Sequence, residues 1–408
     1  MNKLSTPVFK RQDIQYFEQL NQTLINEGHG MPHLLVDLDR LDHNLNQLKD
    51  QWPENIDFRL VVKSLPCIEL IRYITSQLGT SKFMAFHLPF LCQISHEFPD
   101  SDILIGKPFP IAAVEHFYNH MALEASSFDS ETQLHWLVDT PQRLTQYLNF
   151  AQKSGMPLSI NIELDIGLHR GGVDKETTLD VMLTAIRNHP KWLKFSGFMG
   201  YDAHVGKLPA WMESTAQSYQ TSQEKYQAFI DYTKRYFSDL VTEDTLYNGA
   251  GSPTIELHKK NTMCNDLSAG SALVKPSHFD LPLLSGYQPA SFIASPVIKQ
   301  LDRMKLPAPD WISRLLQRFD HRFQQTFFVY GGDWKADLID QRLRKNPLYG
   351  SSANQEIING SKQVKLAPDD HIFWRPQQSE AVFLQFGDIY AIRNKKLKHR
   401  WQALSQDF

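Results

Sequence analysis

The sequence predicts a (β/α)8 TIM-like barrel followed by a mostly β C-terminal domain. From about residue 33 to 282, short apolar runs alternate with helical stretches, and eight of the runs have the length of a strand. After about residue 283 the pattern changes to short apolar runs separated by turns and polar loops. A doubly wound open sheet is the structural alternative, because alternation alone does not prove that a barrel closes.

Each element has its own signal. Thr140 offers an N-cap with proline next to it, and Gly155 ends the amphipathic stretch that follows. Asp174 is predicted to cap the next helix, whose apolar residues recur with a period of 3.6. The candidate barrel strands are 58–62, 82–86, 102–105, 134–138, 158–164, 194–199, 244–248 and 266–272. The later candidate strands are 292–297, 327–330, 371–374 and 381–386, with one helix at about 311–320.

Domain boundaries follow from these patterns. We expect an N-terminal segment, residues 1–32, that packs on the β domain. The barrel is expected over 33–282 and the β-rich domain over 283–408. A chain of 408 residues is long for one domain, which agrees with this division.

Composition narrows the class of protein. The formal net charge of -3 gives no electrostatic reason to expect a nucleic acid or an anionic membrane as partner. Three cysteines without a CxxC pair indicate neither a disulfide framework nor a thiolate zinc site. No apolar stretch approaches the length of a membrane span. A cytoplasmic enzyme with a small-molecule substrate is therefore the expectation.

One lysine follows the first candidate strand. Lys63 ends the run 58–63, where a side chain projects into the mouth of a barrel. An ammonium that loses hydration there has a lowered pKa and becomes an amine nucleophile, as a Schiff-base lysine requires. A surface lysine at a strand end is the alternative, and the lysine alone does not decide between them.

Charged and aromatic residues follow the fifth and sixth candidate strands. Arg170 is suited either to hydrogen-bonding an oxygen of a bound ring or carboxylate, or to a structural ion pair with Asp165. Tyr201 and His204 are candidate contacts for a ring or its substrate, and an imidazole can carry protons near neutral pH. An ordinary hydrogen-bonded histidine is the alternative for His204.

Two small-residue turns follow the last two candidate strands. The first contains Gly251, Ser252 and Thr254, and the second contains Gly270 and Ser271. Glycines let backbone N–H groups approach an anion, and the hydroxyls add hydrogen-bond donors. Barrels commonly bind phosphate with these two loops, so the pair of turns predicts a phosphate site.

The order of these motifs resembles the fold-type III pyridoxal 5'-phosphate (PLP) enzymes. The resemblance covers roughly residues 31–390. Within these enzymes the sequence is similar to the branch of D-threonine aldolases and D-serine dehydratases, and alanine racemase is a more distant relative. It implies that Lys63 forms the Schiff base with PLP and that Arg170 contacts the phenolic oxygen of PLP. It further implies that Tyr201 lines the ring and that the glycine turns hold the phosphate. The segments that carry it are 31–41, 59–63, 165–170, 200–204 and the two turns.

The C-terminal domain departs from that branch. Relatives carry a Pro-x-His-Cys-Asp type zinc motif, whereas residues 375–380 place Gln378, Ser379 and Glu380 at the matching positions. No histidine occurs near 351–357, where a further ligand is expected. Amide oxygens are poor zinc ligands, so the relatives' zinc site is expected to be absent or altered, with Glu380 at most as a metal ligand. The three residues are then candidates for contacting the substrate.

The resemblance implies a homodimeric PLP enzyme that acts on a D-amino acid. Lys63, Tyr201 and His204 are the candidate catalytic residues, and the lyase outcome of an aldolase or dehydratase is placed first. An amino-acid racemase is the alternative, and its second proton carrier would come from Tyr287, His204 or a partner subunit. A non-catalytic PLP-binding protein, or a barrel enzyme without PLP that uses Asp165, Glu163 and His204, also stays open.

Overall fold

The computed structural model describes residues 11–123, 126–207, 211–305 and 309–407. The chain divides into two compact units. The barrel unit contains Leu45–Leu273, Leu281–Gly286 and the chain from Leu404, and the β unit contains the chain up to Asn44, Val274–Asp280 and Tyr287–Ala403. Strands and helices are numbered along the whole chain.

Eight parallel strands form the closed barrel that the sequence predicts. They pair in chain order, and the last strand pairs with the first. These strands are β2 (Asp57–Val61), β3 (Lys82–Ala85), β4 (Asp102–Ile105), β5 (Leu134–Val138), β6 (Leu158–Leu164), β7 (Leu193–Gly200), β8 (Leu246–Gly249) and β9 (Asp266–Ala269). The helices that follow them are α3 (Ile68–Leu78), α4 (Leu88–Glu97), α5 (Ile111–Leu123), α6 (Pro141–Ser154), α7 (Glu176–Asn188), α8 (Thr215–Tyr236), α9 (Ile255–His258) and α10 (Ser271–Val274).

Local signals set the ends of these helices. Thr140 caps α6 by accepting a hydrogen bond from the backbone N–H of Arg143, and Gly155 ends it in the left-handed conformation, as predicted. The cap predicted at Asp174 is wrong, because α7 begins after Lys175 and no side chain caps it. The apolar face of α7 is buried at the predicted spacing.

Aromatic side chains fill the space between the barrel and its helices. Trp136 on β5 is completely buried, and its indole N–H donates to the hydroxyl of Tyr118 over 3.2 Å. The rings of Phe109, Phe117 and Tyr147 pack around it with centroids 5.9 Å away. This cluster holds the helices α5 and α6 against the strand wall.

A buried ion cluster lies at the end of the barrel where strands β4 and β9 begin. Arg59 on β2 is completely buried, and its guanidinium contacts Asp266 at 2.9 Å and Asp102 at 2.6 Å. Both carboxylates belong to the first residue of a strand, and Asp102 also contacts His135 at 3.0 Å. Together they raise the pKa of Arg59, so the cation is permanent despite the burial that opposes it.

The β unit is a nine-stranded sheet, most of whose strand pairs are antiparallel. The strand order is β13-β14-β11-β10-β1-β16-β17, with β15 paired to β10 and β12 paired to β15. The strands are β1 (His33–Asp37), β10 (Ser291–Leu301), β11 (Gln325–Tyr330), β12 (Ala336–Leu338), β13 (Leu343–Lys345), β14 (Gln355–Gly360), β15 (His371–Pro376), β16 (Asp388–Arg393) and β17 (Lys396–Gln402). The remaining helices are α1 (Arg11–Glu27), α2 (Leu38–Lys49), which includes residues of both units, and α11 (Asp310–Phe319).

Helix α1 packs on one face of this sheet. Its Phe17, Leu20 and Leu24 are buried in a common core with Phe292 of β10 and Phe373 of β15. Within the described residues, no helix combines the length and the hydropathy that crossing a bilayer requires.

The structure differs from two predictions: the start of the barrel domain and one strand of the β region. Strand β1 pairs with β10 and β16, so residues 33–37 lie in the sheet and not in the barrel, where the expected boundary at residue 33 placed them. The strand predicted at 381–386 is wrong: Phe383–Gln385 form a 3₁₀ turn. The backbone N–H groups of Val382 and Phe383 donate to the carbonyl of Ser379, and this turn bonding replaces strand pairing.

Candidate active site

Lys63 lies directly beyond the first barrel strand. It belongs to the single 3₁₀ turn Val62–Ser64, and it is half-buried. Its Nζ lies 4.0 Å from the centroid of the Phe86 ring, which follows β3. A side chain on Gly106 would collide with that ring, so a glycine is needed there for Phe86 to lie under the ammonium. The ring covers this side of the amine, and the face of an aromatic ring attracts an ammonium.

The turn after β9 packs against the turn that carries Lys63. The hydroxyls of Ser64 and Ser271 are 2.8 Å apart, and both residues are buried. A Cβ on Gly270 would lie 2.6 Å from the carbonyl oxygen of Val61. Because this oxygen belongs to the backbone, it cannot move aside as a flexible side chain could. The glycine therefore permits the close approach of the two strand ends.

The turn after β8 joins the same group. Ser252 is buried, and its Oγ accepts hydrogen bonds from the backbone N–H groups of Gly270 at 3.3 Å and Ala272 at 2.9 Å. Gly251 packs against the ring of Tyr201, because a Cβ on Gly251 would lie 2.4 Å from a ring carbon. The structure thus brings together both predicted turns, Tyr201 and the turn beside Lys63.

Arg170 lies over the same tyrosine. Its guanidinium carbon is 5.3 Å from the centroid of the Tyr201 ring, and its side chain is exposed. The alternative ion pair with Asp165 is not what the structure contains, since Asp165 contacts His169 Nδ1 at 2.7 Å. Burial opposes ionisation of Asp165, but hydrogen bonds from the backbone N–H groups of His169 and Gly167 outweigh it and lower the pKa of Asp165.

His204 is held at the end of β7. Its Nε2 lies 3.1 Å from the hydroxyl of Ser222 on α8, and a Cβ on Gly167 would lie 2.6 Å from the same nitrogen. Among the described residues, its Nδ1 has no hydrogen-bond partner. Burial lowers the pKa of His204, so the neutral imidazole predominates at neutral pH.

Two carboxyl groups meet at the ends of β5 and β6. The strands pair Val138 with Ile162, so Asp139 and Glu163 are the next neighbours in register. Their side-chain oxygens lie 3.5 Å and 3.8 Å from the position that a Cβ of Gly171 would take. Burial, with Asp139 nearby, raises the pKa of Glu163 to about 7. Sequence analysis named Glu163 only for an enzyme without PLP.

The predicted substrate residues lie in the β unit. Gln378 accepts a hydrogen bond from Lys335 through its side-chain oxygen. Ser379 is completely buried and forms the turn that follows β15, while its Oγ donates to Glu380 over 3.4 Å. In the part of the chain that the structure describes, no three His, Cys, Asp or Glu residues are grouped as metal ligands.

Sequence analysis missed several residues at the barrel mouth. Phe86 and Gly106 carry no motif, and their roles depend on the neighbouring strands β3 and β4. Asp202 and His258 are both buried and bonded to each other, yet they are 56 residues apart in the chain. The sequence offered one related signal: His258 follows Thr254 by four residues, which places both side chains on one face of a helix.

The donors at the barrel mouth fit PLP. A lysine at a strand end, an arginine over an aromatic ring, and two turns of glycines and hydroxyls match an aldehyde, a phenolic oxygen and a phosphate. Gly251 and Gly270 let both turns pack closely beside Lys63 and Tyr201, because a Cβ at either position would collide with Tyr201 or with the backbone of Val61. Lys63 would hold the aldehyde carbon, Arg170 the phenolic oxygen, and the turns the phosphate.

Solved structures share this architecture. D-threonine aldolase from Filomicrobium marinum superposes with a TM-score of 0.69 at 15% identity over 92% of this chain and 98% of that one. D-threo-3-hydroxyaspartate dehydratase from Delftia sp. HT23 gives 0.67 at 15% identity over 94% and 99%. Alanine racemase from Bacillus anthracis, with bound L-Ala-P, gives 0.67 at 13% identity over 92% and 98%. At this level of identity the likeness shows the shared fold.

The sequence itself places the chain in a family. A search of curated proteins finds no match. The family described as "Alanine racemase, N-terminal domain" matches residues 36–278, more than half of the chain, and this segment contains Lys63, Arg170, Tyr201 and both glycine turns. The chain therefore belongs to the alanine racemase N-terminal domain family of fold-type III PLP enzymes.

Proposed function

We propose that this chain is a PLP-dependent lyase that acts on a D-amino acid carrying a β-hydroxyl group. One observation supports it most directly: Lys63 stands at a barrel-strand end over Phe86, with the turns of Gly251 and Gly270 tied beside it. The names of two structural relatives, a D-threonine aldolase and a D-threo-3-hydroxyaspartate dehydratase, suggest the substrate class.

The site residues receive roles from their chemistry. When bound, PLP withdraws electrons from the bonds at the substrate's Cα. Lys63 holds the cofactor and moves the proton at Cα, and the Phe86 ring excludes water beneath its amine. Arg170 and Tyr201 would contact the cofactor ring, and their own contact orients both side chains. The glycine turns hold the phosphate through backbone N–H groups and hydroxyls.

His204 is the proposed proton carrier for the β-hydroxyl. In aldol cleavage this hydroxyl loses its proton as the Cα–Cβ bond breaks, whereas in dehydration it takes a proton and leaves as water. Because its pKa is lowered, His204 is ready to accept a proton at neutral pH. Ser222 contacts Nε2, and the buried Nδ1 has no hydrogen-bond partner among the described residues.

An amino-acid racemase is the second candidate, supported by the name of the family and by the alanine racemase likeness. Racemisation needs a second proton carrier on the opposite face of Cα. Tyr287, one of the candidates for that carrier, is only 3% exposed, and its carbonyl accepts a hydrogen bond from Lys275. This burial favours the lyase.

The first test uses the purified protein and PLP. We expect a visible absorption band in the wild type that Lys63→Ala abolishes, and a borohydride-stable PLP adduct located on Lys63 by mass spectrometry. No band and no adduct at saturating PLP would overturn the assignment. Arg72→Ala, at an exposed ion pair on α3, is the control variant and should keep the band.

The second test separates the reactions by their products. D-threonine and D-threo-3-hydroxyaspartate should yield glycine plus an aldehyde if the enzyme is an aldolase, or a 2-oxo acid plus ammonia if it is a dehydratase. D-alanine should yield L-alanine only if it is a racemase. Conversion of alanine without cleavage of either hydroxy amino acid would contradict the lyase proposal.

Assembly, location and metal use complete the proposal. We propose a cytoplasmic homodimer, testable by light scattering of the purified protein and by cell fractionation. Gln378 and Glu380 are proposed to contact the substrate, so Gln378→Ala should raise KM more than it lowers kcat. Activity before and after chelation, with Mg²⁺ or Mn²⁺ restored, measures any contribution of a divalent ion.

A further inference from the structure

A buried carboxyl group joins two parts of the proposed cofactor site. Asp202 directly follows Tyr201 at the end of β7, and its side chain is completely buried. Its Oδ1 accepts a hydrogen bond from the Thr254 hydroxyl over 2.6 Å. Its Oδ2 accepts a second from Nε2 of His258 over 2.8 Å. Both partners are themselves buried.

Both donors belong to the segment that follows β8. Thr254 and His258 lie one helical turn apart, at the start and the end of α9. The backbone N–H of Thr254 donates to the carbonyl of Gly251 over 3.0 Å, so the hydroxyl bond also fixes the turn that contains Gly251 and Ser252. A displacement of Asp202 therefore moves the whole turn and not one side chain.

The far end of His258 is anchored as well. Its Nδ1 lies 2.8 Å from the hydroxyl of Thr262, and the ring of Tyr219 packs edge-on against it with centroids 5.0 Å apart. The imidazole consequently cannot rotate away from Asp202 without losing both contacts. A carboxyl group with this burial keeps both of its hydrogen bonds, because an unpaired buried oxygen is costly.

From these contacts we infer that Asp202 is a positioning residue for phosphate recognition. Its two hydrogen bonds set the turn of Gly251–Thr254 against the Tyr201 ring, so that the turn's donors are in place before the cofactor binds. Ser252 belongs to this turn, and its Oγ accepts hydrogen bonds from the N–H groups of Gly270 and Ala272, so the position of the first turn also fixes the second. Asp202 itself does not contact the cofactor. The inference rests on the proposed PLP function.

The test compares the affinities for PLP and for pyridoxal, which lacks the phosphate. The ratio of the two dissociation constants isolates phosphate recognition, and absorbance titration of the apoprotein measures each constant without turnover. In Asp202→Ala, which removes both hydrogen bonds, we expect the ratio to fall by about tenfold or more, with pyridoxal affinity little changed. Thr254→Val should lower it by a smaller factor, and it decides the question if Asp202→Ala does not fold.

A matched control is available on α8. Thr233 is as buried as Thr254, and its hydroxyl donates to the carbonyl of Phe229 over 2.8 Å. Thr233→Val should leave the affinity ratio unchanged. Suppose that the wild type binds PLP tightly, but the folded variants keep the wild-type ratio because they bind both compounds as before or weaken both equally. The positioning role is then refuted, and the proposed PLP function is not. If the wild type binds neither compound, the proposed function fails and this inference fails with it.

Discussion

Two buried histidines should make the β unit lose stability as the pH falls from 8 to 5. His33 on β1 and His371 on β15 are each 4% exposed, and each has an Nε2 without a hydrogen-bond partner in the described structure. Burial lowers the pKa of His33 to about 4, with help from His29 and Arg400, and burial lowers the pKa of His371 to about 4 as well. Both imidazoles are therefore neutral in the folded protein down to about pH 4.

The sign follows from proton binding in the two states. Between pH 6.5 and 4 the unfolded chain binds protons at these histidines and the folded chain does not, so stability falls as the pH falls. With an unfolded pKa of 6.5, lowering the pH from 8 to 5 costs about 2 kcal/mol for each histidine as an upper bound. The two together therefore remove at most about 4 kcal/mol, and the loss levels off below pH 4.

Urea denaturation at pH 8, 7, 6 and 5 measures this loss. His33→Phe keeps a ring against Tyr390, and His371→Asn keeps a nitrogen near Asn21, so the double variant should fold. Between pH 8 and 5 the free energy of unfolding of the double variant should fall by less than that of the wild type, and the difference should be at most about 4 kcal/mol. His399→Phe, at an exposed position on β17, is the control and should retain the dependence of the wild type. An unchanged pH dependence in the double variant would refute the reasoning.

Three further substitutions test the barrel unit by thermal and urea unfolding. Arg59→Leu leaves the buried Asp266 and the half-buried Asp102 without their cation and should destabilise the fold by about 3 kcal/mol at pH 7; an unchanged stability would contradict the ion cluster. Glu163→Gln should stabilise at pH 9 by on the order of 1 kcal/mol and by less at pH 5, because burial raises the pKa of Glu163 from 4.5 to about 7 and the cost of the carboxyl group builds up between those two pH values. Gly270→Ala should cost about 1–3 kcal/mol because its Cβ meets the carbonyl of Val61. Gly387→Ala, where a Cβ meets nothing within 4 Å, should be neutral by comparison.

The barrel could be predicted because each strand is a short apolar run with a helix after it. Seven strands begin and end within two residues of the expected positions, and the eighth ends at Ala269 and not at 272. The error there is physical, since Gly270 and Ser271 turn the chain toward Val61 and Ser64 through contacts that local sequence does not encode. Closure of the sheet likewise depends on β2 pairing with β9, about 200 residues apart.

The sheet of the β unit was harder to predict. β17 carries three charged residues among seven, so it lacks the apolar alternation that marks a half-buried strand, and the apolar part of β16 is only four residues long. The run 381–386 is apolar but bends into a turn, because the backbone groups that would pair with a neighbouring strand bond to Ser379. Residues 33–37 are all buried and have an apolar centre at 34–36, as a barrel strand would, and only the pairing with β10 and β16 shows that they form a central strand of a mixed sheet.

The candidate site divides in the same way. Lysine, arginine and glycine turns could be placed because they follow strand ends, where barrel enzymes carry their chemistry. Phe86, Asp139 and Asp202 could not, because each acts through a partner that is distant in sequence. Side chains that touch a ligand leave a local trace, whereas those that hold other side chains in place become visible only when the strands are assembled.

The two ends of the barrel then differ in role: the end where the strands begin holds the ion cluster, and the end where they finish holds the candidate site. Arg59 belongs to the segment 59–63 that carries the family resemblance, yet it bonds to the first residues of β4 and β9, whereas Lys63 lies beyond the last residue of β2. A fully paired, permanently charged guanidinium contributes nothing to proton transfer at neutral pH. Substitutions at Arg59 should therefore change the free energy of unfolding, and those at Lys63 the chemistry. The same short segment thus carries a buried ion-pair residue within β2 and, directly beyond the strand, the proposed Schiff-base lysine.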